Sequence, residues 1–245
     1  MLRPIGVLGL LLATGFALAE QSVDVRHHDW PLQATVGNLL VDNPTGDVRI
    51  RVADQAQPQI LATAQYPSTD SPAIAPQIRS DERGTSVTVA GGALLRVDLV
   101  LLVPANLPLT IQTVEGRVIA KGLQSPIEVK AHNQLVRIFS HSDVAVTTRS
   151  GPVDVVIRQP SAAVNITTRH GPVQLELPGP ALDVDLTTAG DVVSDSPSLL
   201  SRLKHDGNQR YTSDQSPTIR VHSETGNILL LADPNRHPLR LREKF

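Results

Sequence analysis

The phrase TTRSGPVDVVI, Thr147 to Ile157, returns about twenty residues later as TTRHGPVQLEL, Thr167 to Leu177. A phrase repeated at so short a distance describes a building block that stacks, because a reaction centre needs its residues only once. Alignment on the glycine extends the series. Gly116, Gly151, Gly171, Gly190, Gly207 and Gly226 each follow a polar stretch, and Gln134 takes the same slot in AHNQLVRIF. Successive marks lie about nineteen residues apart. A further copy, NLLVDNPTGDVRIRV around Gly46, stands alone near the N-terminus.

The flanking positions repeat as well. Apolar residues stand seven and five before the mark (Val144 and Val146, Val164 and Ile166) and two and four after it (Val153 and Val155, Val173 and Leu175). Alternation with period two marks strands with one buried face. Each unit therefore reads as strand, tight glycine turn, strand and a short Pro/Ser/Asp corner. The Gly207 copy is the poorest, with Leu200 in the first apolar slot but Arg202 and Gln209 in others. Three residues before the mark stand Thr113, Thr148, Thr168, Thr187 and Ser223, which stacking would line into a hydroxyl ladder. Such hydroxyls cap turns by bonding nearby backbone, or else form a polar surface that meets a partner.

These features predict an all-β chain, a parallel β-solenoid of about nineteen residues per coil with an N-terminal capping sheet. The alternative is an antiparallel sandwich or meander, which needs alternation but not the same residue type at the same slot. In the solenoid, Val153 and Val173 pack on one another. The marks from Gly116 to Gly226 then extend about 29 Å, six steps of about 4.8 Å. Residues 20–108 are less regular: QILATAQ, TSVTVA and LLRVDLVLLVP read as strands that cap repeats running over 109–231. The basic end, 232–245, reads as a loose tail.

Residues 1–19 stand outside the fold. Arg3, the apolar run from Ile5 to Ala17 and the small-residue site Ala17-Leu18-Ala19 follow the order of a secretory signal peptide, with the mature chain starting at Glu20. No other stretch reaches membrane length. The sequence has no cysteine, so the core holds without disulfides. It has only three Phe, two Tyr and one Trp, which leaves Val, Ile, Leu and Ala to build that core. Nineteen prolines and sixteen glycines break long helices. A net charge of −2 gives no reason to expect nucleic acid as a partner.

The iterated phrase follows Val103-Pro104, with Leu107, Leu109, Ile111, Thr113, Val114 and Gly116 after it. In this it resembles the DUF4097 putative-adhesin family of β-strand-repeat proteins, over roughly Val36 to Leu231. The resemblance implies a bacterial envelope protein with a β-solenoid-like fold and no assigned activity. The sequence departs from that pattern at Gln134 and in the Gly207 copy.

No nucleophile elbow, zinc-protease motif or phosphate loop occurs. His132, His170, His205 and His222 all precede turns, but at unequal offsets, and His27-His28 could hold no more than a stray divalent ion. No metal or cofactor is expected. Outward slots carry Arg49, Arg51, Arg137, Asp154, Glu176 and Asp185, the mixed signs of a solvated face. Arg149 and Arg169 fall in adjacent copies, where like charges repel. Solvent, a carboxylate or an anionic ligand would relieve them. Thr148, Arg149, Thr168 and Arg169 are thus the candidate binding residues. The function expected is an exported, non-enzymatic, adhesin-like protein of the periplasm or surface that contacts an envelope protein, a polysaccharide or a second copy of itself. The alternative is a carbohydrate-active enzyme on a β-helix. That needs clustered carboxylates or calcium ligands and aromatic platforms, against short loops and few aromatics here.

Overall fold

The computed structural model describes residues 23–32, 37–53, 57–71, 76–89, 95–179, 183–205, 210–212 and 218–232. The leader with its cleavage site, Gly207 and the tail beyond Ala232 lie outside them. Each copy forms two short strands around its mark. For the opening pair these are Val144–Thr148 with Val153–Ile157, and Val164–Thr168 with Val173–Glu176.

Among the described residues, first strands lie side by side in one sheet of eleven strands and second strands in another of ten. The copies pair in parallel and in matched register, Val144 with Val164, Thr148 with Thr168 and Val153 with Val173. The antiparallel meander is thus not what these copies form. Period-two alternation turns Val144, Val146, Val153 and Val155 inward with their counterparts, and the inner rows of both sheets merge into one aliphatic core. Each buried Val, Leu or Ile contributes about 1.5–3 kcal/mol, so bulk aliphatic burial replaces the missing aromatics and disulfides.

The glycines recur for a steric reason. A Cβ on Gly171 would stand 1.9 Å from the Gly151 carbonyl oxygen, and one on Gly116 would stand 1.8 Å from that of Gly46. Gly226 meets Gly171 in the same way, at 2.0 Å. Each turn seats its carbonyl where the next copy would carry a side chain.

The order of the copies differs from chain order. The Gly46 copy, expected to stand alone, lies directly beside the Gly116 copy: Val48 pairs with Val118 and Leu39 with Leu109. At the other end the last two copies are exchanged. Ile219–Ser223 and Ile228–Leu231 insert between the Gly171 copy and the Gly190 copy. Either side of the Gly207 mark, Lys204–His205 and Arg210–Thr212 pair antiparallel with one another, where a further parallel copy was expected. Leu200, expected in a strand, lies in the helix Pro197–Arg202 and is exposed. Ser196 accepts from the Leu199 amide as N-cap and Pro197 opens the helix, a start signal that overrode the repeat spacing.

At the N-terminal end, Gln59–Tyr66 runs antiparallel between Asp24–Pro31 and Arg96–Val103. In the other sheet Gly84–Thr88 pairs with Asn38–Asp42 and Gln77–Asp81. Asp24–Pro31 is an edge strand. Its Arg26 lies 4.4 Å over the Tyr66 ring, bonds Asp24 at 2.7 Å and donates to the carbonyls of Thr69 and Ser71. Charged side chains on an edge strand discourage the addition of another strand.

Next to the Gly46 turn, buried Asp47 accepts from Arg117 Nε and Nη2 on Oδ2, and from the Arg117 amide on Oδ1. Arg96 adds an ion pair at 2.8 Å. Burial pushes the carboxyl's pKa up, but the Arg117 hydrogen bonds and the two arginine charges outweigh it and hold the group below the usual carboxylate range.

Three outcomes follow from this packing. Gly171→Ala must displace backbone and should lower stability by about 1–3 kcal/mol, read from the urea midpoint. Gly179→Ala, with nothing within 4 Å of the new Cβ, should stay within about 0.5 kcal/mol of the parent. Asp47→Asn should cost about 1–3 kcal/mol at neutral pH, since the buried acceptor loses its charge while its arginines still reach solvent. A depressed folded pKa stabilises above the unfolded value and loses that effect as pH falls through the folded one. The gap between Asp47→Asn and the parent should therefore be full at pH 6 and shrink below about pH 4.

Candidate binding groove

Strand parity that sends Val146 and Ile166 inward sends their neighbours Thr147 and Thr167 out. In the eleven-stranded sheet this outward position forms one continuous row across the copies. Asp42 pairs with Gln112, Gln112 with Lys130, Lys130 with Thr147, Thr147 with Thr167 and Thr167 with His222. Two residues further on, the turns raise His132, Arg149, Arg169 and Glu224 as a second row. Together they line an open groove of about 830 Å³ that runs along the stacking axis.

Thr148 and Thr168 share the groove's edge but are buried, with at most 5% exposure. Thr148 Oγ1 donates to the His132 carbonyl at 3.1 Å, and Thr168 Oγ1 accepts from the Gly171 amide at 3.2 Å. They hold the turns. In the shorter Gly190 turn Thr188, not Thr187, joins this ladder: it pairs with Ser223, donates to the Gly226 carbonyl at 2.6 Å and accepts from the Gly190 amide. The hydroxyls presented to solvent are those of Thr147 and Thr167, one position before the repeated ladder slot. The signal that finds them is parity, since a residue two after an inward valine is itself inward.

Arg149 and Arg169 are exposed on stacked turns, joined by a bond from the His170 amide to the Arg149 carbonyl at 3.1 Å. Arg169 lies 3.4 Å from Glu224, with both side chains about half exposed. Such a pair is worth about 0–1 kcal/mol and leaves the guanidinium available. Arg149 has no ion pair among the described residues. On the floor, Lys130 pairs with Glu128 at 2.9 Å.

The other charged positions pair off across neighbouring strands. Arg137 meets Asp154 at 2.7 Å, and Arg158 meets Glu176 at 2.8 Å. Asp185 takes both guanidinium bonds of Arg210, and that hydrogen bonding outweighs its burial to hold the carboxyl below the usual range. His27 and His28 do not converge. His27 lies 3.2 Å from the Thr63 hydroxyl, while His28 stacks on Trp30 at 5.1 Å. Among the described residues no group of three His, Cys, Asp or Glu could hold a metal ion, and no helix is long and apolar enough to cross a membrane.

No family model and no curated protein matches the sequence. Among solved structures the chain is similar to a putative cell adhesion protein from Clostridium sporogenes, at 15% identity and a TM-score of 0.49 over 86% of this chain and 100% of that one. It is also similar to a putative adhesin from Bacteroides fragilis, at 12% identity and a TM-score of 0.44 over 87% of this chain and 99% of that one. The likeness is loose, and the functional reading rests on this chain's own geometry.

Parity separates two neighbouring threonines by experiment. Thr148→Val should cost about 1 kcal/mol by removing the donor to the His132 carbonyl, whereas Thr147→Val should change stability by less than about 0.5 kcal/mol. Thermal unfolding of the two variants measures the contrast.

Proposed function

We propose that this chain is an exported, non-enzymatic, adhesin-like binding protein, a β-solenoid-like stack whose outer groove takes the ligand. One observation carries the reading: the groove is built from the same two positions of successive copies, so its contacts are spread along the stack. A reaction centre gathers unlike groups at one point, with an acid, a base or a nucleophile brought within hydrogen-bond reach. Here neighbouring copies instead place Thr147 beside Thr167 and Arg149 beside Arg169. The apparent leader supports export, and the resemblance of the iterated phrase to an adhesin family agrees with a role in binding.

A distributed surface loses affinity by degrees, because each exposed contact contributes about 1 kcal/mol or less. Arg149→Gln and Arg169→Gln, made singly and together, should give graded losses of binding to isolated cell-envelope fractions, measured by sedimentation, with the double variant weaker than either single one. A turnover activity abolished by one single substitution would sink the reading.

A further inference from the structure

We infer that the groove's ligand is a linear acidic polysaccharide lying along the stacking axis, an identification that rests on the binding reading above. The first argument is shape. The floor row runs from the strand of Asp42 to that of His222, five strand steps or about 24 Å, with one side chain every ~4.8 Å. That step is close to the length of one sugar unit, so an extended chain meets one outward residue per unit.

Charge is the second argument. The middle of the groove carries Lys130, Arg149 and Arg169 around the neutral hydroxyls of Thr147 and Thr167; Glu128 offsets Lys130 and Glu224 offsets Arg169 only through half-exposed pairs, and Asp42 stands at one end. Of the groove's three cations, Lys130, Arg149 and Arg169, Arg149 is the one that forms no ion pair with a described residue. An acidic group seated over Thr147 would lie between Lys130 and Arg149, relieve the repulsion of the stacked guanidiniums and accept the threonine hydroxyl.

Other polymers fit less well. A peptide recognised by strand addition needs free backbone groups, and the floor strands spend theirs on parallel neighbours on both sides. A neutral glycan commonly stacks on a large aromatic ring, and among the described residues no Phe, Tyr or Trp lines the groove. Its floor offers donors and charge.

The test uses the intact protein and oligogalacturonides of graded length, with dextran and poly-glutamate as controls, followed by calorimetry. Affinity should rise with length until the oligomer spans the groove and then level off, and it should weaken as salt is added. Lys130→Gln and Arg149→Gln should each weaken binding about two- to fivefold. Glu224→Gln, which releases Arg169, should strengthen it by a similar factor, a gain that no folding defect can imitate. Dextran or poly-glutamate binding as tightly as the oligogalacturonide would overturn the inference, as would variants that bind unchanged. Retention on envelope fractions without binding to oligogalacturonides would overturn this identification and leave the binding reading in place. Loss of both would remove the reading itself.

Discussion

The structure depends on how closely the backbones of adjacent turns approach at the glycine column. Where Gly171 covers Gly151 and Gly226 covers Gly171, the carbonyl of one copy occupies the space of a side chain in the next. That contact sets the register, and the register decides which residues reach the core. A slip of one residue would turn each Val–x–Val strand inside out. The exception is informative. At Gln134 the glycine is missing, its neighbour Gly151 takes a φ of +135°, and Ala131 offers no hydroxyl to the ladder. One step away, the buried Thr113 Oγ1 has no hydrogen-bond partner. The hydroxyl ladder is thus interrupted at and beside the copy that lacks the glycine.

Much of this was legible in the chain, for reasons particular residues make plain. Val153 and Val173 share a slot because they pair, and the repeated phrase marks a repeated environment. The order of stacking was not legible, because every copy presents nearly the same edge. Gly190 and Gly226 both follow the same kind of polar phrase, so the spacing of the marks does not say which of them meets Gly171. Leu200 misled for a different reason: its spacing matched the repeat while Ser196 and Pro197 were starting a helix. The groove was half legible. Arg149 and Arg169 were found from their place in the phrase. Thr148 and Thr168 drew attention by being identical, although identity there reflects a turn that must be capped.

The two ends of the stack are closed by different means. At one end antiparallel strands complete the sheets, with Arg26 held over Tyr66 on the last strand. At the other, the helix Pro197–Arg202 and the short pair Lys204–His205 and Arg210–Thr212 follow the Gly190 copy, and Arg210 is fastened to Asp185. Both ends thus combine irregular geometry with charge, whereas the interior copies rely on aliphatic side chains. A repetitive stack needs this contrast, since an end built like the middle would invite another copy to join it.

The exchange of the last two copies has a kinetic meaning. From the Gly116 copy onward, a chain folding from its N-terminus can add copies one on another as far as Gly171, each step closing a short loop. The Gly190 copy cannot dock on its final neighbour, because that neighbour is written later: the Asp191 amide donates to the Asn227 side chain, 36 positions further along. Until that segment arrives, two edges stay open, and its entry closes both at once. The final piece of the sequence therefore acts as a keystone. A chain cut short before Ile219 would lose the docking of two copies, not one, which makes completeness of synthesis a condition for burying the C-terminal third of the core.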